Sequence, residues 1–453
     1  MKKLWQKNKK LNEQVEHYCS RNNVELDNQL ITHDVFGSMA HNNMLYTIGV
    51  LTFKEYQQLH HELHGILTLK DSGAFRIELG DEDVHTKIEG YLTDKLGDIG
   101  KKIHTGRSRN DQINVDLQLY SKSSLFQVAQ SCMELILSFL DFAATHEFVP
   151  MPGYTHMQKA MPSSVGMWAE SFAESFLDDL SILKSAYKIN DASPLGSGAG
   201  YGIPLPLDRE LTAKLLGFEK VQNNSLYAQV SRCKIQYLLL HSLAQCMLTL
   251  SRFAEDMLLF TTSEFNFFII PEELQTGSSI MPQKKNLDAM EALRANTYKV
   301  LHHENITASI LAGLPSGYNS DFAETKESLF ASFSITNDSL NIVKLLIDSI
   351  QPNKESLQQA HSPELYATHQ TYEQVQKGVP FRKAYGQIGS KLSSLRLPDI
   401  KKVLTLSTHV GGTGNLNVPF IRKQAIKQAT WWKMQKQSYT NAIKKLKYAI
   451  ISP

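Results

Sequence analysis

Residues 112–146 run without a single proline or glycine. Apolar residues recur through the stretch, among them Val115, Leu117, Leu125, Val128, Leu135, Ile136 and Leu140. At 1.5 Å per residue such a run predicts a helix of roughly 50 Å. Residues 164–189, 227–262, 286–311 and 326–350 read as further long helices. Each carries an apolar stripe broad enough to be buried on more than one side. Five such helices, separated by loops that hold glycine and proline, predict a central helical bundle. Helices far longer than the usual mean of about 11–12 residues often find their burial partner in another subunit, so an oligomer built on the bundle is expected.

A chain of 453 residues exceeds the size at which one core usually stops growing. The pattern is all-α and divides into a helical segment over 1–105, the bundle over 106–352, and a smaller helical segment over 353–453. The last boundary is the break at Gln351-Pro352-Asn353. Hydrophobic residues make up 42% and charged residues 20%, as in an ordinary globular protein. Lys+Arg 47 against Asp+Glu 45 leaves +2, which offers no nucleic acid or membrane surface a charge to recognise. The basic stretch from Met1 to Lys10 has no apolar run behind it, which argues against a signal peptide. No uninterrupted apolar run approaches the 18 or so residues of a membrane span. Cys19, Cys132, Cys233 and Cys246 are far apart and form no CxxC pair. They read as buried thiols in a reducing cytoplasm rather than a disulfide framework or zinc site.

Three separated motifs carry the chemistry. The first is His104-Thr105-Gly106-Arg107-Ser108-Arg109-Asn110-Asp111-Gln112, just ahead of the longest helix. Arginine forks and amide donors suit a carboxylate, and a helix start favours an anion. A merely charged cap is the plainer reading of an isolated Arg-Ser-Arg. The second is Met151-Pro152-Gly153-Tyr154-Thr155-His156-Met157-Gln158. A lone histidine is more often structural, but this one follows a hydroxyl residue in a Pro-Gly loop, where it can face a cleft and exchange protons near neutral pH. The third is Gly277-Ser278-Ser279-Ile280-Met281-Pro282-Gln283-Lys284-Lys285-Asn286, leading to Glu291. A serine there can take a proton while a lysine and an amide hold the charge that develops. Its plainer reading is a glycine-led helix entry with both lysines in solvent. Gly411-Gly412-Thr413-Gly414 lacks the strand and the lysine of a phosphate loop, and the pairs His60-His61 and His302-His303 point apart on a helix.

Taken over its whole length, the 277–286 loop resembles the signature of the fumarase/aspartase superfamily. The 104–112 string narrows the resemblance to the argininosuccinate lyase family. Weaker similarities lie in Asp81–Glu89, in Pro194-Leu195-Gly196-Ser197-Gly198-Ala199, in Gly317-Tyr318-Asn319-Ser320-Asp321 with Lys326, and in Gly378–Tyr385. The resemblance covers about residues 20 to 415. It implies a three-domain, all-α fold whose central bundle assembles into a homotetramer, with each site shared by three subunits. It also implies cleavage of argininosuccinate into arginine and fumarate, with no metal or organic cofactor.

The roles it implies are residue by residue. Ser278 is the base, Lys284 and Asn286 stabilise the carbanion, Thr155 and His156 protonate the leaving nitrogen, and Glu291 pairs with His156. Arg109 and Asn110 with Ser108 grip the substrate, His85 lies near its carboxylate, and Tyr318, Lys326 and Asp27 complete the binding set. Four places depart from the family pattern: Leu287 follows the signature asparagine, Ala323 replaces a substrate-contacting glutamine, Asn23 replaces a serine, and residues 224–232 lack the usual aspartates. Losing one polar contact shifts discrimination by roughly 1–3 kcal/mol. Ala323 therefore keeps open a sister lyase releasing fumarate from another N-substituted aspartate. A catalytically inactive protein on the same scaffold is the second alternative.

Overall fold

The computed structural model describes residues 12, 14, 15, 18, 23–78 and 81–448. The basic stretch 1–10 and Cys19 lie outside the described residues, as does the side chain of Asn23. Five long helices form the centre: Arg109–Thr145 (α1), Val165–Asn190 (α2), Arg232–Phe260 (α3), Asp288–Ala312 (α4) and Thr325–Ser349 (α5). α1 packs along α2 and α5, α3 along α2, α4 and α5, and α4 along α5. The longest, at 37 residues, is the expected rod. Its composition and length would also let it cross a bilayer. Here its apolar face lies in the core instead. Phe139 is fully buried against Phe172, Phe176 and Phe253, with ring centroids 5.6, 5.9 and 5.3 Å away. Burying one such ring is worth roughly 1.5–3 kcal/mol.

Two elements differ from the sequence expectation. The helix expected over 227–262 is interrupted: Ser225–Val230 ends at Ser231, and α3 begins at Arg232. The Ser231 hydroxyl donates back to the Ala228 carbonyl at 3.4 Å and accepts from the Gln222 amide at 3.1 Å. Such back-bonding competes with the helical ladder. The second difference is the strands. Among the described residues four two-stranded pairs accompany the helices, the longest an antiparallel hairpin of Pro150–Thr155 (β1) and Gln158–Ser164 (β2). A shorter pair, Thr276–Gly277 (β3) with Lys285–Asn286 (β4), closes the base of the Ser278 loop.

Helices Ile31–Thr47 and Phe53–Asp71 share one continuous core with the bundle. The final helix, Val418–Lys447 (α6), returns from the C-terminal segment to pack on α1, α2 and Ile31–Thr47, burying Trp432, Tyr439 and Leu446 in that same core. Among the described residues, only the stretch between Leu365 and Val403 builds a small core of its own, seated against the hairpin. Cys132, Cys233 and Cys246 are free and buried.

Candidate active site

The first motif is folded by its own polar residues. Ser108 caps α1: its hydroxyl accepts from the Asn110 N–H at 3.3 Å, and the Asp111 carboxylate accepts from the Ser108 N–H at 2.8 Å. This is a capping box, which satisfies helix-end donors reciprocally. The second Asp111 oxygen accepts from the N–H groups of Gly196 and Gly198, at 2.9 and 3.1 Å. Burial pushes the Asp111 carboxyl up to about 6. One carboxylate thus ties the glycine-rich loop to the start of α1. Gly196 has φ +82, and a Cβ there would meet the Arg209 chain at 2.8 Å, so glycine is required twice over.

Arg109 forms a bidentate pair with Glu82 at 2.6 and 2.7 Å and donates to Thr86 at 2.7 Å. Its guanidinium is therefore engaged inside the chain rather than held open as an empty fork. Asn110 is half-buried beside it. His85 likewise differs from a free substrate contact: it is 5% exposed, and its Nδ1 donates to Asp34. Burial pulls the His85 pKa down, but the charge of Asp34 and its hydrogen bond outweigh that and raise it. Burial likewise pushes Asp34 up, and His85 and Arg107 more than reverse it. Asp116 is raised well above the carboxylate range by burial and by the charge of Asp34.

The ligating atoms of Asp34, His85 and Asp116 lie within 4.8 Å of one another, close enough for a metal ion to bridge. His85 and Arg107 already supply the positive charge this pocket needs, so its charge balance calls for no divalent cation. Beside it, Lys326 and Asp27, 299 positions apart in sequence, form a buried ion pair at 2.6 Å. Two residues expected to hold substrate are thus brought together, holding one another.

Thr155 and His156 sit at the exposed tip of the β1–β2 hairpin. Thr155 pairs with Gln158, so His156 and Met157 are the two central residues of the turn, with φ 53 and 60. A two-residue hairpin of this kind needs positive φ at both positions and normally uses Asn-Gly. Side chains there cost of order 1–3 kcal/mol each, strain that clusters at functional sites. Met157 is 71% exposed beside them.

Ser278 is half-buried at the mouth of its loop. Its Oγ accepts from the backbone N–H of Met281 at 3.1 Å and of Ile280 at 3.4 Å. Two N–H dipoles aimed at one oxygen favour its anionic form. Asn286 reaches back with its amide to Thr276 Oγ1 and the Gly277 carbonyl, both at 3.5 Å. Lys285 pairs with Glu272 at 3.1 Å, whereas Lys284 has no ion-pair partner among the described residues. Glu291 stands exposed on the first turn of α4. No hydrogen bond or ion pair joins it to His156 among the described residues, and the Ser278 loop and the hairpin tip are likewise not joined. Tyr318 is 40% exposed, with its ring 5.1 Å from the Arg232 guanidinium carbon.

The long-helix bundle, with a Ser-Ser loop feeding one helix and a Thr-His tip set apart from it, is the arrangement that the resemblance to the fumarase/aspartase superfamily implies. A family model described as lyase matches residues 6–301. Solved structures agree in fold. An EDDS lyase in complex with formate matches with a TM-score of 0.81 at 21% identity, over 97% of this chain and 95% of that one. A class II fumarase from Schistosoma mansoni matches with a TM-score of 0.69 at 16% identity, over 83% and 91%. Curated relatives narrow the class. The argininosuccinate lyase of Phocaeicola vulgatus is 41% identical over 91% of this chain and 92% of its own length. That of Thermotoga neapolitana is 41% identical over 86% and 98%. The chain belongs to the argininosuccinate lyase family.

One residue that holds this site in place is invisible in the motifs. His41 is fully buried, and its Nε2 lies 2.8 Å from the Thr105 carbonyl, fixing the turn ahead of Arg107. Burial first, then the Arg107 charge, hold its pKa well below 6.5. The unfolded chain thus takes up a proton near pH 6.5 that the folded chain refuses. Stability from this group is complete above pH 6.5 and is lost as pH falls below it, at up to about 1.4 kcal/mol per pH unit. Asp111 and Asp179, pushed up to about 6 by burial, work in the opposite sense. The decisive quantity is therefore a difference. His41→Gln should lose stability less steeply than wild type between pH 6.5 and 5 in urea titrations, and parallel slopes would refute this.

Proposed function

We propose that the protein cleaves argininosuccinate reversibly into arginine and fumarate. The observation that carries this reading is the Ser278 oxygen with two N–H donors converging on it, in a loop that also bears Lys284 and Asn286. Ser278 removes a proton from the succinyl carbon next to a carboxylate. The electron pair moves into that carboxylate, forming a dianionic, enolate-like group. Lys284 and Asn286 stabilise this group more than the ground state, which is where acceleration arises. Collapse of the pair forms the carbon–carbon double bond and breaks the carbon–nitrogen bond. The departing guanidinium nitrogen takes its proton from the Thr155–His156 pair. Side chains supply the acid, the base and the charge sink.

Arg109, Asn110 and Ser108 anchor the succinyl carboxylates, with Arg109 exchanging Glu82 for substrate. Tyr318, Lys326 and Asp27 flank the remainder, and His85 braces Asp34 behind them. The assembly is a homotetramer in the cytoplasm, in which Glu291 reaches His156 across subunits. The exposure of the hairpin tip and of the Ser278 loop, with no hydrogen bond or ion pair between them among the described residues, supports a shared site. Light scattering at working concentration should give four times the chain mass of 51.1 kDa, and a monomer would count against it.

Ala323 sits half-buried on the short helix Ser320–Glu324 after Tyr318 and offers no side-chain hydrogen bond. That keeps a second substrate reading in view: another N-substituted aspartate. Fumarate absorbance should rise with argininosuccinate and stay flat with adenylosuccinate. The reverse pattern would transfer the assignment to the sister lyases, and silence with both would favour an inactive scaffold.

A further inference from the structure

Arg232 opens α3 and is 3% exposed. Its guanidinium carbon lies 5.1 Å from the Tyr318 ring and 5.2 Å from the Phe322 ring. Aromatic faces attract a cation but cannot accept its in-plane N–H groups. Nε and Nη1 are both buried without a hydrogen-bond partner, and no carboxylate pairs with the residue among the described residues. Arginine does not lose its proton, so this is a buried positive charge without a counter-charge. An uncompensated charge of this kind is costly to keep.

The guanidinium borders a small cavity whose other polar lining is Asn114, Gln118, Ser121, Asn190 and Gln236. Two of these already have work elsewhere: Asn114 donates to the Ala228 carbonyl at 2.8 Å, and the Gln236 oxygen accepts from Thr325. Gln118 is different. It is 3% exposed, and neither its amide nitrogen nor its oxygen has a partner among the described residues. The Asn190 oxygen is also unpartnered, while its nitrogen holds the Gln118 carbonyl at 3.0 Å. The cavity thus presents orphaned donors from Arg232 and Gln118 and two orphaned amide oxygens.

We propose that this cavity binds a small monovalent inorganic anion of chloride's size, held by Arg232 Nε and Nη1 and the Gln118 amide. The site owes nothing to the reaction chemistry and stands or falls separately from the proposed function. The anion would also fix the guanidinium on which Tyr318 rests, giving the inorganic ion a structural hold on that side chain.

The test uses the full-length protein without substrate. Chloride is exchanged for gluconate at constant ionic strength, so that screening of surface charge stays fixed. A ligand that binds only the folded state stabilises it by RT ln(1 + [L]/Kd), so the thermal midpoint climbs with the logarithm of ligand concentration above Kd. The midpoint should rise by a few degrees and keep climbing with the logarithm of chloride concentration, and Arg232→Met should lose the dependence. Crystals grown in bromide should show an anomalous peak within hydrogen-bond distance of Arg232 Nε. A midpoint indifferent to chloride overturns the proposal. So does a chloride effect with no bromide at Arg232, or a neighbouring subunit's carboxylate seated on the guanidinium. Should Arg232→Met fail to fold, the bromide peak in wild type still decides.

Discussion

Replacing Ser278 with alanine is expected to lower turnover of argininosuccinate roughly 10²–10⁴-fold, the usual worth of a positioned general base. The fold should survive the change. Ser278 sits in a loop whose neighbours Ile280 and Met281 are exposed, so its lost hydrogen bonds revert to water. An exposed cap of this sort is worth about 1 kcal/mol. The thermal midpoint and the assembly state should therefore stay close to wild type while kcat collapses. KM should change little, because the serine contributes to the transition state rather than to holding the carboxylates. Ser278→Ala protein with unchanged turnover would remove the base from Ser278, whatever the substrate.

The parts of the molecule legible in the sequence are those whose logic is local. The α1 rod is legible because residues 112–146 contain nothing that breaks a helix, and it extends from Arg109 to Thr145. The capping box follows from Ser108 and Asp111 three residues apart. The hairpin is not legible, because His156-Met157 is the wrong chemistry for a tight two-residue turn, and only the surrounding ladder forces positive φ on both. The return of α6 is also hidden: nothing in 418–447 says that Trp432 and Tyr439 pack against Phe126 on α1.

Within the site, the loop around Ser278 reads out because its residues act together over ten positions. His41, Asp116 and Arg232 do not, since a single polar residue among apolar neighbours looks alike whether it is buried or turned to solvent. Each gains its meaning from a partner far along the chain, as Asp27 does from Lys326. Asp116 is the plainest case: nothing in its place between Val115 and Leu117 distinguishes a buried acid from an exposed one.

Lys122, further along α1 between Ser121 and Ser123, is equally silent in the sequence, and it carries the largest stability effect expected of one side chain here. It is 1% exposed, and its ammonium donates to the Asp191 carboxylate at the end of α2 and to the Gly217 carbonyl. The rings of Tyr187, Phe218 and Tyr439 surround it at 5.4, 5.2 and 5.5 Å. Burial lowers its pKa, and Asp191 opposes that pull. The cluster ties α1, α2 and α6 together through one charge. Lys122→Met keeps the length and removes the charge, which strands the Asp191 carboxylate in the core. Breaking a buried pair from one side costs about 3–5 kcal/mol. Removing both charges should cost less than the sum of the two single changes, since much of each penalty is the partner left uncompensated. Urea denaturation of Lys122→Met, Asp191→Asn and the double variant measures this directly. Strict additivity would mean that the two groups are not coupled, and that the three rings alone hold this junction.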